Sequence, residues 1–217
     1  MYHKRSEEDC TLEHGEMQHD LARLLKPTQC RTPIFYKMNN PGRPVISSGN
    51  NHAEKISAYV DEFLRPTAEQ LHFYIRDTTD FMQGIVSGRL PVECYLVTFD
   101  ISSLYTNIDI DEGLMVVQEE LIKTNWSKPS PQTLTCLLEK VLRLNNFTFN
   151  DEQFIQIKGT AMGSGVAPNF ANVYIGRIEG NFVYKTEWSN NVVIWVRFTD
   201  DIFLKIERGR RLLNEIH

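Results

Sequence analysis

The sequence has no long apolar run and no hydrophobic start. Its longest run of consecutive aliphatic and aromatic residues, 192–196, has five members, whereas a helix that crosses a bilayer needs about 20. The first eight residues lead into no apolar core, which argues against a secretory signal. We therefore expect an intracellular protein, nuclear or cytoplasmic, that is neither secreted nor held in a membrane.

Cysteines are few, and basic residues are in the minority. The four cysteines lie far apart, at positions 10, 30, 94 and 136, so we expect reduced thiols rather than disulfides. Together with the six histidines they form no metal-ligand spacing, so no zinc site is predicted. The net charge of −5, from 23 basic against 28 acidic residues, argues mildly against a free-standing nucleic-acid binder.

The predicted elements come in the order strand, helix, helix, strand, strand, with insertions, which indicates an α+β fold packed on one sheet. The first thirty residues are polar and have little periodicity, so we expect a loosely ordered arm there. Short β-prone runs at 33–37 and 43–47 flank a turn that contains Asn, Pro and Gly. An amphipathic helix follows, and Pro66 should end it because proline has no N–H to donate.

Three further helices are expected in the second half of the chain. One should begin near Asp111, whose side chain can cap the first turn. Another is marked by Ser130 followed by Pro131, a typical N-cap and first helical residue. The third follows a loop at 158–168, and its apolar flank should face the core: Phe170, Val173, Ile178 and Phe182.

Three carboxylates stand at the ends of predicted strands. Asp100 ends one strand, while Asp200 and Asp201 form the turn between two apolar β runs, a hairpin pattern. If these strands are neighbours, the carboxylates meet at one sheet edge, where a divalent cation would offset their repulsion. Such clusters serve phosphoryl transfer. The alternative is that Asp-Asp is ordinary turn chemistry and that Asp100 caps the segment after it.

Three other features are weak as bare patterns. A glycine-rich loop at 159–165 can bring backbone close to a ligand, and the helix after it offers an N-terminus that favours anions. Lys37 and Arg43 flank the early turn, where they could clamp a triphosphate or be two solvated charges. Tyr105 could pack against a sugar or be an ordinary half-buried tyrosine.

Five segments occur in a characteristic order. They are residues 41–48 (PGRPVISS), 74–81 (YIRDTTDF), 99–108 (FDISSLYTNI), 159–172 (GTAMGSGVAPNFAN) and 197–203 (RFTDDIF). The last three resemble, in turn, the first catalytic-carboxylate motif, the glycine-loop motif and the double-aspartate hairpin of reverse transcriptases. The first two resemble the fingers motif and the stretch that follows it. The match is closest to the reverse transcriptases of Penelope-like retroelements.

The resemblance implies a right-hand polymerase core. Residues 1–30 would be a loosely ordered arm, residues 31–90 the fingers region and residues 91–217 the palm region. Together these three parts would form one reverse transcriptase domain. The palm would be a ferredoxin-like antiparallel sheet with helices, incomplete because its C-terminal part and the thumb are expected to be missing. The absence of a basic thumb would account for the acidic balance, since backbone binding depends on neutralising phosphates.

The resemblance also assigns site residues. Asp100, Asp200 and Asp201 would be catalytic and, with the carbonyl of Ile101, would ligate two Mg²⁺ ions, with Mn²⁺ as a substitute. The dNTP would be bound by Lys37, Arg43, Tyr105 and Gly163, with Tyr105 packing under the sugar. Residues near the template and primer would be Ala161, Met162, Ser164, Pro168, Asn172 and Phe198. Phe198 stands where the family usually has Tyr, and Thr199 replaces the usual aliphatic residue.

The implied activity is RNA-directed DNA polymerisation in a retrotransposon. A primer 3′-hydroxyl would attack the α-phosphate of a dNTP, and the partners would be an RNA template, a DNA or RNA primer and dNTPs. One alternative is a catalytically dead remnant that acts as a nucleic-acid-binding or interaction domain. Another is a different nucleotidyl chemistry on the same palm, such as cyclisation or DNA-templated synthesis.

Overall fold

Runs of strands and runs of helices follow one another in the computed structural model, which describes residues 2–4, 28–34, 43–46, 52–86, 94–124, 126, 128–183, 185 and 187–207. The strands are β1 (Tyr2–Lys4), β2 (Thr28–Ile34), β3 (Arg43–Ile46), β4 (Cys94–Asp100), β5 (Asn146–Phe149), β6 (Glu152–Gln156), β7 (Val192–Phe198) and β8 (Asp201–Glu207). The helices are α1 (His52–Glu69), α2 (Thr78–Val86), α3 (Leu104–Asn107), α4 (Ile110–Lys123), α5 (Pro131–Arg143) and α6 (Ala167–Val183), with a 3-10 turn at Glu187–Asn191. The predicted α+β class is confirmed. Within the described ranges, no helix is long and apolar enough to cross a membrane.

The strands form two sheets, so the expected single sheet is wrong. One sheet has the order β1-β6-β5-β2-β3, and the other is the three-stranded β4-β8-β7. In the smaller sheet, β4 and β8 pair along their whole length, from the Cα pair Cys94–Glu207 to the pair Asp100–Asp201. β2 and β3 are antiparallel, which fits two β-prone runs on either side of a turn, although β2 begins at Thr28 and ends at Ile34, earlier than the predicted run at 33–37. Most of the predicted arm, and the turn between β2 and β3, lie outside the described residues.

Four helices build the main core. Side chains with no exposed surface lie on α1, α4, α5 and α6, and they include Val60, Leu64, Val117, Leu121, Leu134, Leu138, Phe170 and Val173. Gly113 lets α4 approach α6, because a Cβ at this position would lie 2.5 Å from the Phe170 ring. The ring would have to move to admit any larger residue, which explains why glycine is needed inside this helix.

Pro66 lies inside α1 and does not end it. The helix continues because the turn around the proline is anchored in the core, with Leu64 and Ala68 both fully buried. The hydroxyl of Thr67 donates a hydrogen bond of 3.2 Å to the carbonyl of Phe63. Burial on both sides therefore outweighs the loss of one backbone hydrogen bond, which corrects the predicted helix end.

The other helix starts were predicted with mixed success. Ser130 caps α5 as expected, accepting from the Thr133 N–H at 3.1 Å. The cap of α4 is Asp109 rather than Asp111, because Asp109 is extended and its Oδ1 accepts from the N–H of Glu112 at 3.0 Å. Asp111 already belongs to the first helical turn, so its carboxylate cannot occupy the cap position.

The buried flank of α6 differs from the predicted apolar one. Ile178 and Phe182 are 44% and 52% exposed, whereas Phe170 and Val173 are buried as expected. The buried residues of the later turns are Asn172, Ile175, Glu179 and Val183. Two polar residues, Asn172 and Glu179, thus lie on the buried face of α6, where only apolar residues were predicted. Both contact Arg197 of the small sheet.

Candidate active site

The β4–β8 ladder brings two of the three aspartates together. Asp100 lies directly opposite Asp201, and directly paired residues project from the same face of a sheet. The next hydrogen bond along the strands joins the N–H of Ile101 to the carbonyl of Asp200, at 2.8 Å. The ends of β4 and β8 are therefore fixed to one another at the point where the carboxylates stand.

The β7–β8 turn is tight and carries the third aspartate. Phe198 pairs with Asp201 across the hairpin, so only Thr199 and Asp200 lie between the strands. Thr199 has a φ of 57°, a left-handed conformation that is uncommon for a β-branched residue. Such strain persists only where surrounding contacts hold it, and one of these is a hydrogen bond of 2.8 Å from Arg197 Nη1 to the Thr199 carbonyl.

Arg197 is the largest fully buried side chain in the described part of the molecule. Its Nε forms an ion pair with Glu179 Oε1 at 3.0 Å, and Glu179 is only 4% exposed. Its two terminal nitrogens donate to Asn172, one to the side-chain oxygen at 2.7 Å and one to the carbonyl at 3.2 Å. Trp195 Nε1 also donates to Glu179 Oε1, at 3.0 Å. This network connects the aspartate hairpin to α6.

The backbone of Arg197 is held as firmly as its side chain. Its N–H donates to the Phe73 carbonyl at 2.7 Å, and its carbonyl accepts from the Ile75 N–H at 3.0 Å. This parallel bridge continues the small sheet beyond β7. Neither Arg197 nor Glu179 was among the predicted site residues, although a lone cation inside an apolar strand indicates a buried partner.

Tyr105 lies in the short helix α3, close to the aspartates. Its ring packs against the main core and is half-buried. Burial raises the pKa of the Tyr105 phenol, and the charge of Asp200 raises it further, while Arg197 opposes both. The phenol is therefore close enough to Asp200 to feel its charge. A residue that contacts a ligand bound at the aspartates would have to be this close.

The glycine loop is fixed at both ends. Its N-terminal end contacts Tyr105, because the Thr160 N–H donates to the Tyr105 carbonyl at 2.7 Å. At the other end, the Ser57 hydroxyl of α1 accepts from the Val166 N–H at 2.9 Å and shares a hydrogen bond of 3.1 Å with the Ser164 hydroxyl. Gly163, between these contacts, has a φ of 116°, which is readily adopted only by glycine.

The remaining predicted site residues lie in varied surroundings. Ala161 is buried, Met162 is half-buried, Pro168 is exposed in the first turn of α6, and Phe198 is 50% exposed. Asn172 is 4% exposed, and its oxygens accept from Arg197, so it supports the hairpin from beneath. Arg43 begins β3 in the larger sheet, and Lys37 lies outside the described residues.

A cavity of about 460 Å³ opens beside Asp201. Its walls come from the small sheet, from α2 and from the residues just before α2, and they are Ile75, Asp77, Thr78, Phe81, Thr98, Val196, Phe198, Asp201, Ile202 and Phe203. Phe81 meets Phe203 edge-to-face, with ring centroids 5.1 Å apart. The carboxylate edge therefore borders a mainly apolar, aromatic hollow.

The donor set at this edge suits a divalent cation, because carboxylate oxygens are the ligands that Mg²⁺ prefers. Asp100 and Asp201 form a facing pair, and Asp200 precedes Asp201 in the turn. Among the described residues, however, no group of three or more His, Cys, Asp or Glu side chains is arranged to hold a metal ion. Asp100 and Asp201 thus form a pair, and Asp200 is their neighbour in the chain, but the three carboxylates are not arranged around a common point.

Solved structures support the fold. Apo telomerase from Candida tropicalis superimposes with a TM-score of 0.68 at 10% identity, over 95% of this chain and 42% of that chain. Telomerase from Candida albicans in complex with a TWJ fragment of telomeric RNA gives a TM-score of 0.64 at 11% identity, over 96% and 40% of the two chains. A Candida tropicalis apo telomerase truncated from its C-terminal domain gives 0.60 at 13% identity, over 88% and 47%.

These likenesses are of fold, and this chain spans less than half the length of each of those telomerase chains. A search of curated proteins finds no match. A comparison with protein families uses the sequence itself. The family described as reverse transcriptase (RNA-dependent DNA polymerase) matches residues 37–217. This range includes the Asp100–Asp201 pair, the glycine loop and the buried arginine network. The chain belongs to the reverse transcriptase family.

Proposed function

We propose that this chain is the fingers and palm part of an RNA-directed DNA polymerase that adds dNMP units to a primer 3′-hydroxyl. The observation that carries the proposal is the register of β4 and β8, which sets Asp100 opposite Asp201 where Ile101 hydrogen-bonds to Asp200. Membership of the reverse transcriptase family supports it.

In this proposal the chain's own residues position the reactants. Asp100, Asp200 and Asp201, with the Ile101 carbonyl, would hold divalent cations, Mg²⁺ or Mn²⁺. Bound there, such ions neutralise charge on the attacking and leaving oxygens. Tyr105 would pack under the sugar of the incoming dNTP. Most of the rate enhancement would come from positioning and charge neutralisation.

The other assigned residues would lie near the nucleic acid or the triphosphate. Arg43 with Lys37 would hold the triphosphate, since two cations match its charge. Gly163 would let the nascent base pair approach the palm. The residues proposed to lie near the template and primer are Ala161, Met162, Ser164, Pro168, Asn172 and Phe198, and Asn172 would act by supporting the hairpin.

The finer assignment is to the Penelope-like branch of retroelements. It rests on the sequence of three segments, 99–108, 159–172 and 197–203. With it come the proposed limits of an arm at 1–30, fingers at 31–90 and palm at 91–217. An RNA template, a DNA or RNA primer and dNTPs are the proposed partners.

Single-nucleotide addition tests the proposal. The full chain is incubated with a primed RNA template, dNTPs and Mg²⁺, and compared with Asp200→Asn. The matched control is Asp151→Asn, because Asp151 is an exposed turn residue between β5 and β6 and its φ of 60° suits Asn. We expect extension by the natural chain and by Asp151→Asn, and none by Asp200→Asn.

Two further arms separate the alternatives. A DNA template offered beside the RNA template tests template choice, and preference for DNA would contradict the proposal. Parallel reactions with Mn²⁺ test whether weak metal binding limits the rate. No extension under any condition by a chain shown to be folded would refute catalysis by this chain and leave a nucleic-acid-binding domain as its function.

A further inference from the structure

The start of the glycine loop rests on the backbone of α3. The Thr160 N–H donates to the Tyr105 carbonyl at 2.7 Å. A Cβ added to Gly159 would lie 2.2 Å from that same carbonyl oxygen and 2.7 Å from the Cα of Thr106. All of these neighbours are backbone atoms, so they cannot give way as a flexible side chain would.

The loop cannot retreat from this contact. The Lys158 carbonyl accepts from Gln156 Nε2 at 2.8 Å, and Gln156 is 2% exposed. Ala161 is buried against Phe147 in a small apolar cluster. Gly159 also has a φ of 71°, a conformation in which any L side chain is strained. A larger residue at 159 would therefore displace α3 rather than the loop.

Tyr105 depends on this support because its own helix is minimal. α3 has four residues and begins after Ser103, whose φ is 54° and whose side chain makes no capping hydrogen bond. The Ser103 carbonyl accepts from both Thr106 and Asn107 backbone N–H groups, at 3.1 and 3.2 Å. Such a short helix has little stability of its own, so outside contacts set the position of Tyr105.

We propose that Gly159 and the Thr160 N–H are positioning residues for Tyr105, and that through it they determine the preference for deoxyribonucleotides over ribonucleotides. This inference rests on the proposed function. The absence of a side chain at 159 allows the Tyr105 carbonyl to reach the Thr160 N–H, and this contact fixes the backbone that carries the Tyr105 ring. The side chain of Thr160 has no part in this, because its buried hydroxyl has no hydrogen-bond partner in the described structure.

The experiment measures kcat/KM for dATP and for ATP in single-nucleotide addition by the full chain on a primed RNA template. The test variant is Gly159→Ala. Gly180→Ala is a control with open space around its Cβ, and Gly176→Ala is a crowded control whose Cβ would meet Leu71 methyl groups at 2.8 Å.

We expect Gly159→Ala to lower the dATP/ATP ratio by about tenfold, since a displacement of about 1 Å at a reacting site can change a rate by about a hundredfold. The lower ratio should come chiefly from a higher kcat/KM for ATP, because a displaced Tyr105 ring would no longer exclude the 2′-hydroxyl of a ribonucleotide. The two control variants, Gly176→Ala and Gly180→Ala, should keep the natural ratio. In a Tyr105→Ala background, Gly159→Ala should change the ratio little further, because its effect passes through the tyrosine.

Two results would overturn the inference while leaving the proposed function intact. One is a natural ratio in a folded, active Gly159→Ala chain, and the other is an equal loss in the Tyr105→Ala background. If the natural chain incorporates neither nucleotide, calorimetric binding of dATP and ATP replaces turnover. A dATP preference that Gly159→Ala abolishes supports the inference, whereas absence of dATP binding to the natural chain refutes both proposals.

Discussion

Glu179→Gln removes the charge that balances a fully buried guanidinium and changes little else. The Gln oxygen can still accept hydrogen bonds from Arg197 Nε and Trp195 Nε1, both of which lie 3.0 Å from Glu179 Oε1. Arg197 has no exposed surface and Glu179 is 4% exposed, so water cannot replace the lost charge. Breaking a buried ion pair on one side costs about 3–5 kcal/mol. Against a typical total stability of about 5–15 kcal/mol, we expect a folded but strongly destabilised protein.

The assay is urea unfolding of the full chain, natural and Glu179→Gln, followed by fluorescence. Glu119→Gln is the matched control, because Glu119 also pairs with an arginine, Arg177, at 2.6 Å but its side chain is 58% exposed. Exposed pairs contribute about 0–1 kcal/mol, so the control should lose at most that much. Equal losses of unfolding free energy in the two variants would refute the claim that burial makes the Arg197–Glu179 pair more important for stability than an exposed pair.

Three further predictions concern the α4–α6 layer. Gly113→Ala should destabilise the chain by about 1–3 kcal/mol in urea unfolding, because the new methyl group would meet the Phe170 ring at 2.5 Å. Asp109→Ala should cost about 1 kcal/mol by the same measurement, because the Glu112 N–H loses its cap. Burial and a hydrogen bond to Glu112 raise the pKa of Tyr174 to about 12; the stability from this contact is therefore full below the ordinary pKa of 10 and lost as the pH rises through 12. Ultraviolet titration should show that Tyr174 ionises near pH 12, and Glu112→Gln should lower the pKa of Tyr174 toward its ordinary value.

Local signals in the sequence predicted the elements that carry the carboxylates. The β4 strand ends at Asp100, and the hairpin turns at Asp200, because strand periodicity and turn chemistry are encoded within a few residues. The Ser130 cap is local in the same sense. These features need no knowledge of the rest of the chain, which is why they could be predicted.

Features that depend on distant contacts were predicted less well. Pro66 reads as a helix end, yet α1 continues through it because Leu64 and Ala68 are buried against other helices. The contact between Gly159 and the Tyr105 carbonyl joins residues on two separate elements. A glycine in a loop indicates only that backbone freedom is needed there, and not which atoms come close.

The α6 flank shows how one buried charge can reorganise an element. An apolar stripe through Ile178 and Phe182 would place the helix on the sheet by hydrophobic burial alone, yet both side chains are exposed. Arg197 projects from β7 toward α6 and cannot be buried without a counter-charge, so the face that bears Asn172 and Glu179 must turn toward the sheet. Since the same guanidinium holds the Thr199 carbonyl in the aspartate turn, the rotation of α6 and the shape of the turn are linked. The polar face of α6 thus follows from the burial of Arg197, and through Arg197 it also supports the turn in which Thr199 is left-handed.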